Sequence, residues 1–198
     1  MGIIRTLNGD ISANQLGVTY SHDHIYCIPP YWAERQDDDL LLDDPQASER
    51  ELSDFRRAGG NAIYDATAPD YGRQAAAVAA MAQRQQLHII ATAGFNKGFL
   101  WSSKRPGSAQ TFAEWIAHSD VDELVEHVCR EVTEGIEGTE HRAGVVKCGT
   151  GYNAISPLEQ KTMEVIVRAQ QRTGAPMHSH TEMGTMGLEQ AQLFKKWG

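Results

Sequence analysis

Short apolar stretches alternate with helix-like stretches along most of this chain, and this alternation is the feature that most limits how it can fold. The predicted strands cover residues 16–24, 61–67, 87–94, 142–148 and 176–180, and the predicted helices cover residues 44–59, 71–86, 111–116, 120–134, 156–174 and 188–197. Because a helical crossover joins parallel strands, the pattern predicts an α/β fold with a parallel sheet covered by helices. An open doubly wound sheet and a closed barrel both fit it. No Gly-x-Gly-x-x-Gly follows the first strand, which argues against a dinucleotide site.

Local signals predict several boundaries of these elements. Asp44-Pro45 is an N-cap followed by proline at the first helical position, and a capping box begins at Ser156. Near the N-terminus, Asn8-Gly9 lies between two short alternating stretches. This dipeptide predicts a hairpin with a two-residue turn, which we expect to form a small lid before the first main strand.

The composition narrows the class of partner. With 198 residues, a net charge of −8 and no run of Lys or Arg, the chain offers no evident surface for nucleic acid or an anionic membrane, so a small molecule is the expected partner. Three widely spaced cysteines without a Cys-x-x-Cys pattern suggest neither a disulfide framework nor a cysteine zinc site. No apolar run approaches the roughly 18 residues of a membrane span, and the N-terminus lacks the apolar stretch of an export signal. We therefore expect a cytoplasmic protein, with a homodimer as a possible assembly.

Histidines and a lysine stand at the carboxyl ends of predicted strands. His22 and His24 end the first strand, Lys147 lies at the end of the fourth, and His178 and His180 end the fifth. Residues i and i+2 of a strand point to the same face, so His22 and His24 can reach one ion, and imidazole is a common zinc ligand. A His-x-His pair alone is more often two polar surface side chains. A (β/α) barrel, however, places its active site at this end of its strands.

Lys147 follows an apolar strand and precedes glycines. A lysine in such a position usually extends its ammonium group to solvent. A lysine that is instead buried near cations loses its proton readily, and the neutral amine can add carbon dioxide. The resulting carbamate carries two oxygen ligands and can bridge two metal ions.

Three motifs together carry a family resemblance: Ser21–His24, Arg142–Lys147 and Pro176–Glu182. They resemble the phosphotriesterase family of the amidohydrolase superfamily, in the expected order along essentially the whole chain. The resemblance implies a (β/α)8 TIM barrel of the metal-dependent hydrolase type. It also implies two divalent metal ions, usually zinc, that activate water.

Carried over residue by residue, the resemblance implies roles for four side chains. His22 and His24 would bind the more buried metal, Lys147 as its CO2-derived carbamate would bridge the two ions, and His180 would bind the more exposed metal. His178 stands where relatives often carry threonine, and we expect it to face inward without binding metal.

Within the family, the chain is most similar to the branch that hydrolyses lactones, including phosphorylated sugar lactones. This similarity lies in the sequences of Tyr20–His22, Gly149–Asn153 and His178–Glu182. We therefore expect a metal-dependent lactonase that uses a binuclear centre to activate water. A phosphotriesterase is the first alternative. A catalytically inert metal-binding fragment is an alternative from another class.

Four further side chains are expected to bind substrate. The loop after the first strand carries Tyr31 and Trp32, which offer an apolar wall to a compact ring. Lys97 follows the third strand and is expected to approach an anionic substituent of the substrate. Tyr152 follows the glycines after the fourth strand.

The family barrel has eight strands, whereas this sequence contains five predicted ones. The resemblance implies a further histidine ligand from the sixth strand and an aspartate, both ligand and general base, from the eighth. We therefore expect residues 1–198 to form a single (β/α) barrel domain with about the first five βα units, truncated before the sixth strand.

Overall fold

The computed structural model describes residues 2–32 and 41–198, and strands and helices alternate along them as predicted. The strands are β1 (Ile3–Thr6), β2 (Gly9–Ser12), β3 (Thr19–Asp23), β4 (Ala62–Asp65), β5 (His88–Ile90), β6 (Thr92–Gly94), β7 (Val145–Thr150) and β8 (Met177–Thr181). The α-helices are α1 (Pro45–Arg57), α2 (Ala75–Gln85), α3 (Phe112–His118), α4 (Val121–Thr133), α5 (Pro157–Thr173) and α6 (Gly187–Trp197).

Six strands form two parallel sheets. β4 lies between β3 and β5, and β7 lies between β6 and β8. β5 and β6 are the two halves of the predicted third strand, separated at Ala91, and each half pairs with a different neighbour. The predicted parallel α/β arrangement is therefore confirmed. In β7 and β8, Lys147 lies opposite His178 and Gly149 opposite His180, which aligns the ends of these two strands.

The predicted N-terminal hairpin is present, but its turn differs from the expectation. Thr6 pairs with Gly9, so the two-residue turn is Leu7-Asn8, one residue earlier than predicted. Leu7 is buried and its N–H donates to the Ile89 carbonyl at 2.8 Å. Since the Arg5 carbonyl also packs against Gly144, just before β7 begins, the hairpin covers the amino ends of the parallel strands.

The capping signals place the helix starts correctly. The Asp44 carboxylate accepts hydrogen bonds from the N–H groups of Gln46 and Ala47, and Ser156 forms the predicted capping box. The start of α2 was predicted four residues too early. Gly72, with φ +80°, interrupts the helical run, and a side chain there would meet the Ile28 carbonyl oxygen at 2.0 Å. A close backbone contact therefore overrides the local helical pattern.

A buried ion pair fixes the segment between β4 and α2 to the rest of the core. The Arg73 guanidinium donates two hydrogen bonds to Glu131 of α4, at 2.6 and 2.9 Å, and a third to the Thr92 carbonyl at 2.5 Å. Glu137 accepts a further bond from it at 3.0 Å. Burial of this kind requires a partner, because an unpaired buried charge is strongly destabilising.

Among the helices of the described residues, none combines the length and apolar character needed to span a bilayer.

Candidate active site

Three histidine rings from two separate strands converge at the carboxyl end of the sheets. The rings of His22 and His24 have centroids 5.6 Å apart, and the His22 and His178 rings lie 5.1 Å apart. Tyr64 of β4 contacts this group, with centroid distances of 6.1 Å to His22 and 5.2 Å to His178. Because β3 and β8 belong to different sheets, the contact between His22 and His178 means that both strands face one interior. The expectation that His178 faces inward is in accord with this contact.

Lys147 does not extend to solvent. Its side chain is among the largest that are fully buried, with 1% exposure, and its Nζ donates to the Ala66 carbonyl at 2.6 Å. Burial lowers the pKa of Lys147 to about 8, against the opposing charges of Asp70 and Asp65. A substantial neutral fraction is therefore available near neutral pH, as carbamate formation requires.

A short hydrogen-bond chain behind His24 determines which ring nitrogen carries the proton. Thr67 Oγ1 donates to the Asp65 carboxylate at 2.5 Å, so the same oxygen can act only as acceptor toward His24 Nδ1 at 2.9 Å. The proton of His24 therefore lies on Nδ1, and the lone pair of Nε2 is available to a ligand. Buried carboxylate or hydroxyl partners of this kind orient metal-binding histidines in many proteins.

Burial keeps the imidazoles of the site neutral. It lowers the pKa of His24 to about 3 and that of His178 to about 4, with the nearby Lys147 charge acting in the same direction. Burial also lowers the pKa of His22 and of His180, although Glu182 opposes the shift at His180. Neutral imidazole is the form that binds a metal ion.

His180 lies in a separate polar cluster at the mouth of the same interior. Its Nε2 is 2.8 Å from Glu182 Oε2, and Lys97 Nζ forms an ion pair with the same carboxylate oxygen. Lys97 Nζ also lies 3.5 Å from His180 Nε2. Lys97 comes from the loop after β6, so the structure brings this predicted substrate-binding residue directly to a predicted metal-binding one.

The other predicted substrate residues are one buried and two exposed aromatic side chains. Tyr31 is buried against Tyr71, whose ring is in turn 4.8 Å from that of His24. Tyr31 therefore supports the wall behind the site. The side chains of Trp32 and Tyr152 are at the surface, 38% and 63% exposed.

Three buried groups that support the site were missed from the sequence. Asp65 and Thr67 act on His24 as described, and Gln190 of α6 connects the ends of β7 and β8. The Gln190 Nε2 donates to Thr150 Oγ1 at 2.6 Å and to the His180 carbonyl at 2.9 Å. The sequence offered one signal for Asp65 and Thr67, because they form an Asp-x-Thr sequence at the end of a predicted strand. It offered none for Gln190.

The donor set fits part of a metal centre. Two neutral imidazoles and a readily deprotonated lysine suit transition-metal binding. Within residues 2–32 and 41–198, however, no three His, Cys, Asp or Glu side chains are grouped so that they could hold one ion. Complete coordination of two ions would need the oxygens of a modified Lys147 and further ligands.

Comparison with known proteins gives a consistent result. The model of the phosphotriesterase family matches residues 2–198. The phospho-furanose lactonase of Mycoplasmopsis agalactiae is 31% identical over 202 residues, which are 96% of this chain and 54% of that protein. The chain therefore spans about half the length of this relative.

Two solved structures are similar to the whole described fold. The lactonase Lmo2620 from Listeria monocytogenes is 50% identical with a TM-score of 0.95, over 99% of this chain and 62% of that one. The organophosphorus hydrolase from Deinococcus radiodurans is 30% identical with a TM-score of 0.83, over 99% of this chain and 58% of that one.

Proposed function

Because the chain belongs to the phosphotriesterase family, we propose that it contributes to a metal-dependent lactonase that opens phosphorylated sugar lactones. The observation that carries the proposal is the buried Lys147 of β7, whose pKa is lowered to about 8 and which lies opposite His178 of β8. A lysine in this environment is suited to carbamate formation and poorly suited to a purely structural role.

The side chains proposed to hold two divalent ions, Zn²⁺ in this proposal, are His22 and His24 for one ion and His180 for the other, with the Lys147 carbamate between them. When bound, such a centre supplies Lewis-acid polarisation of a carbonyl oxygen and an activated water. None of these four side chains is the aspartate that the family resemblance implies as general base.

The described residues set the protonation state of the site's imidazoles in two ways. Thr67 and Asp65 hold the His24 proton on Nδ1 and direct the Nε2 lone pair to the site. Burial keeps His24 and His178 neutral over the whole physiological pH range, so no proton has to leave either ring before a ligand binds.

The names of the relatives support the choice of substrate. The Mycoplasmopsis protein is named a phospho-furanose lactonase, and the Listeria structure is that of a lactonase. A planar lactone carbonyl presents one face to an activated water, and a phosphotriester can be attacked with the same geometry. The Deinococcus organophosphorus hydrolase therefore supports phosphotriester hydrolysis as the second candidate activity.

Metal content and substrate preference of the full-length gene product test the proposal. We expect about two zinc-like ions per chain. We expect kcat/KM to be highest for a phosphorylated sugar lactone, lower for a neutral γ-lactone and lowest for an aryl dialkyl phosphate.

Matched histidine variants provide the control. His22→Ala and His24→Ala should lose metal, whereas His118→Ala, at an exposed position at the end of α3, should retain it. Full metal content in both strand variants would refute the proposed ligand set. A clear preference for the phosphotriester would reverse the order of the two activities.

A further inference from the structure

Lys97 and Glu182 form an ion pair that reaches the site from two different strand ends. Their side chains are 16% and 28% exposed, so water surrounds them only in part. The Glu182 carboxylate contacts both Lys97 and His180 through Oε2. Among the described residues, Oε1 therefore stays available as an acceptor, and the ammonium group has N–H donors beyond the one directed at Glu182.

This pairing changes the role that the sequence suggested for Lys97. The positive charge of Lys97 is already balanced by Glu182, and the carboxylate would repel an anionic substituent that approached the ammonium group. A cation would be repelled by Lys97 for the same reason. The group that matches a neutral donor-and-acceptor pair is a hydroxyl group, which both donates and accepts.

An exposed aromatic ring lies beside the pair. Phe99 is 61% exposed, and its ring centroid is 6.0 Å from Lys97 Nζ. An aromatic face next to a donor-and-acceptor pair suits a ligand that carries both C–H surface and hydroxyl groups, as a sugar ring does.

We propose that Lys97 and Glu182 bind the ring hydroxyl groups of the lactone and so select hydroxylated lactones over unsubstituted ones. This inference rests on the proposed lactonase function. Cationic groups other than Lys97 would then bind any anionic substituent of the lactone. Glu182 is thus a specificity-determining residue of the site.

Two substrates that differ in their ring hydroxyl groups test the inference in the full-length gene product. A γ-lactone of a pentonic acid carries these groups, and γ-butyrolactone does not. In Glu182→Met, kcat/KM for the pentonic lactone should fall about 10- to 100-fold, as expected when a charged hydrogen-bond partner is removed. The value for γ-butyrolactone, which lacks these hydroxyl groups, should fall much less, so the ratio of the two values should drop.

The two members of the pair should act as a unit. Lys97→Met should reduce the same preference, and the double variant should lose little more than the more affected single variant. Glu189→Met and Lys195→Met, at exposed positions of α6, remove the same charges nearby and should leave both substrates unaffected.

Calorimetry provides a readout that does not depend on turnover. The ring-opened pentonic acid should bind wild-type protein more tightly than 4-hydroxybutyrate does, and Glu182→Met should remove that difference while keeping the wild-type metal content. Equal losses on both lactones, loss of metal, or an unchanged preference would each overturn the inference. If the wild-type protein opens neither lactone, the proposed function fails, and the calorimetric comparison still decides the role of the pair.

Discussion

Replacing Glu131 by methionine tests the buried ion pair that holds the segment behind the histidines. The side chains of Arg73 and Glu131 are only 2% and 4% exposed. Glu131→Met leaves the guanidinium buried, with the Thr92 carbonyl and Glu137 as its partners, and the Glu137 side chain is 52% exposed. Removing one partner of a buried pair costs about 3–5 kcal/mol, because the remaining buried charge is left poorly compensated, here by a half-exposed carboxylate alone.

Thermal unfolding monitored by circular dichroism measures this loss. At about 2–4 °C per kcal/mol for a chain of this size, the Tm should fall by about 6–20 °C. The Arg73→Met/Glu131→Met double variant should recover most of the loss, since no charge then remains buried. Asp54→Asn breaks the exposed Arg57–Asp54 pair and should change Tm very little.

A Glu131→Met protein that melts within about 2 °C of wild type would contradict the reasoning. So would a double variant that is less stable than either single variant. In both cases the stability of this region would have to come from apolar packing alone.

Three further predictions concern the site and its surroundings. Lys147→Ala should abolish activity and short carboxylic acids should partly restore it by supplying bridging oxygens, whereas wild-type rates in this variant would exclude the carbamate bridge. Thr67→Val should weaken metal binding by about 10- to 100-fold in equilibrium dialysis, because His24 loses its hydrogen-bond acceptor, and Thr67→Ser should bind as wild type does. Burial raises the pKa of Cys27 to about 12, so its thiolate fraction at about pH 8 should be roughly a thousandth of that of an ordinary thiol, and alkylation followed by mass spectrometry should accelerate with rising pH or on unfolding. Rapid alkylation of the folded protein at that pH would disprove the burial.

The sequence predicts most of the fold because local signals and tertiary packing agree along most of the chain. Asp44 and Ser156 begin helices where their capping patterns predict. The start of α2 was missed because Gly72 packs on the Ile28 carbonyl, a contact that no local pattern reveals. The division of the third strand at Ala91 was missed for a similar reason, since it reflects pairing with two different neighbouring strands.

Site residues could be predicted only where a pattern within a single strand indicates them. The His-x-His pairs and the lysine that follows an apolar run are visible in the sequence, and the structure brings His22, His178 and the buried Lys147 to one interior. The strand of Lys147 runs on to Thr150, farther than predicted. The ion pair between Lys97 and Glu182 joins residues that are 85 positions apart, so no spacing within one element indicates it.

The dipeptide Ala66-Thr67 connects the stability of the fold with the geometry of the site. The Ala66 carbonyl accepts the Lys147 hydrogen bond, and Thr67 orients His24. Both residues belong to the segment that leads from β4 to Arg73, which the buried pair with Glu131 fixes to α4. Loosening that pair should therefore release Lys147 and His24 together, although the described hydrogen bonds and ion pairs of Glu131 include neither residue. Metal affinity in Glu131→Met should consequently fall with its stability, whereas the exposed Asp54→Asn change should leave both intact.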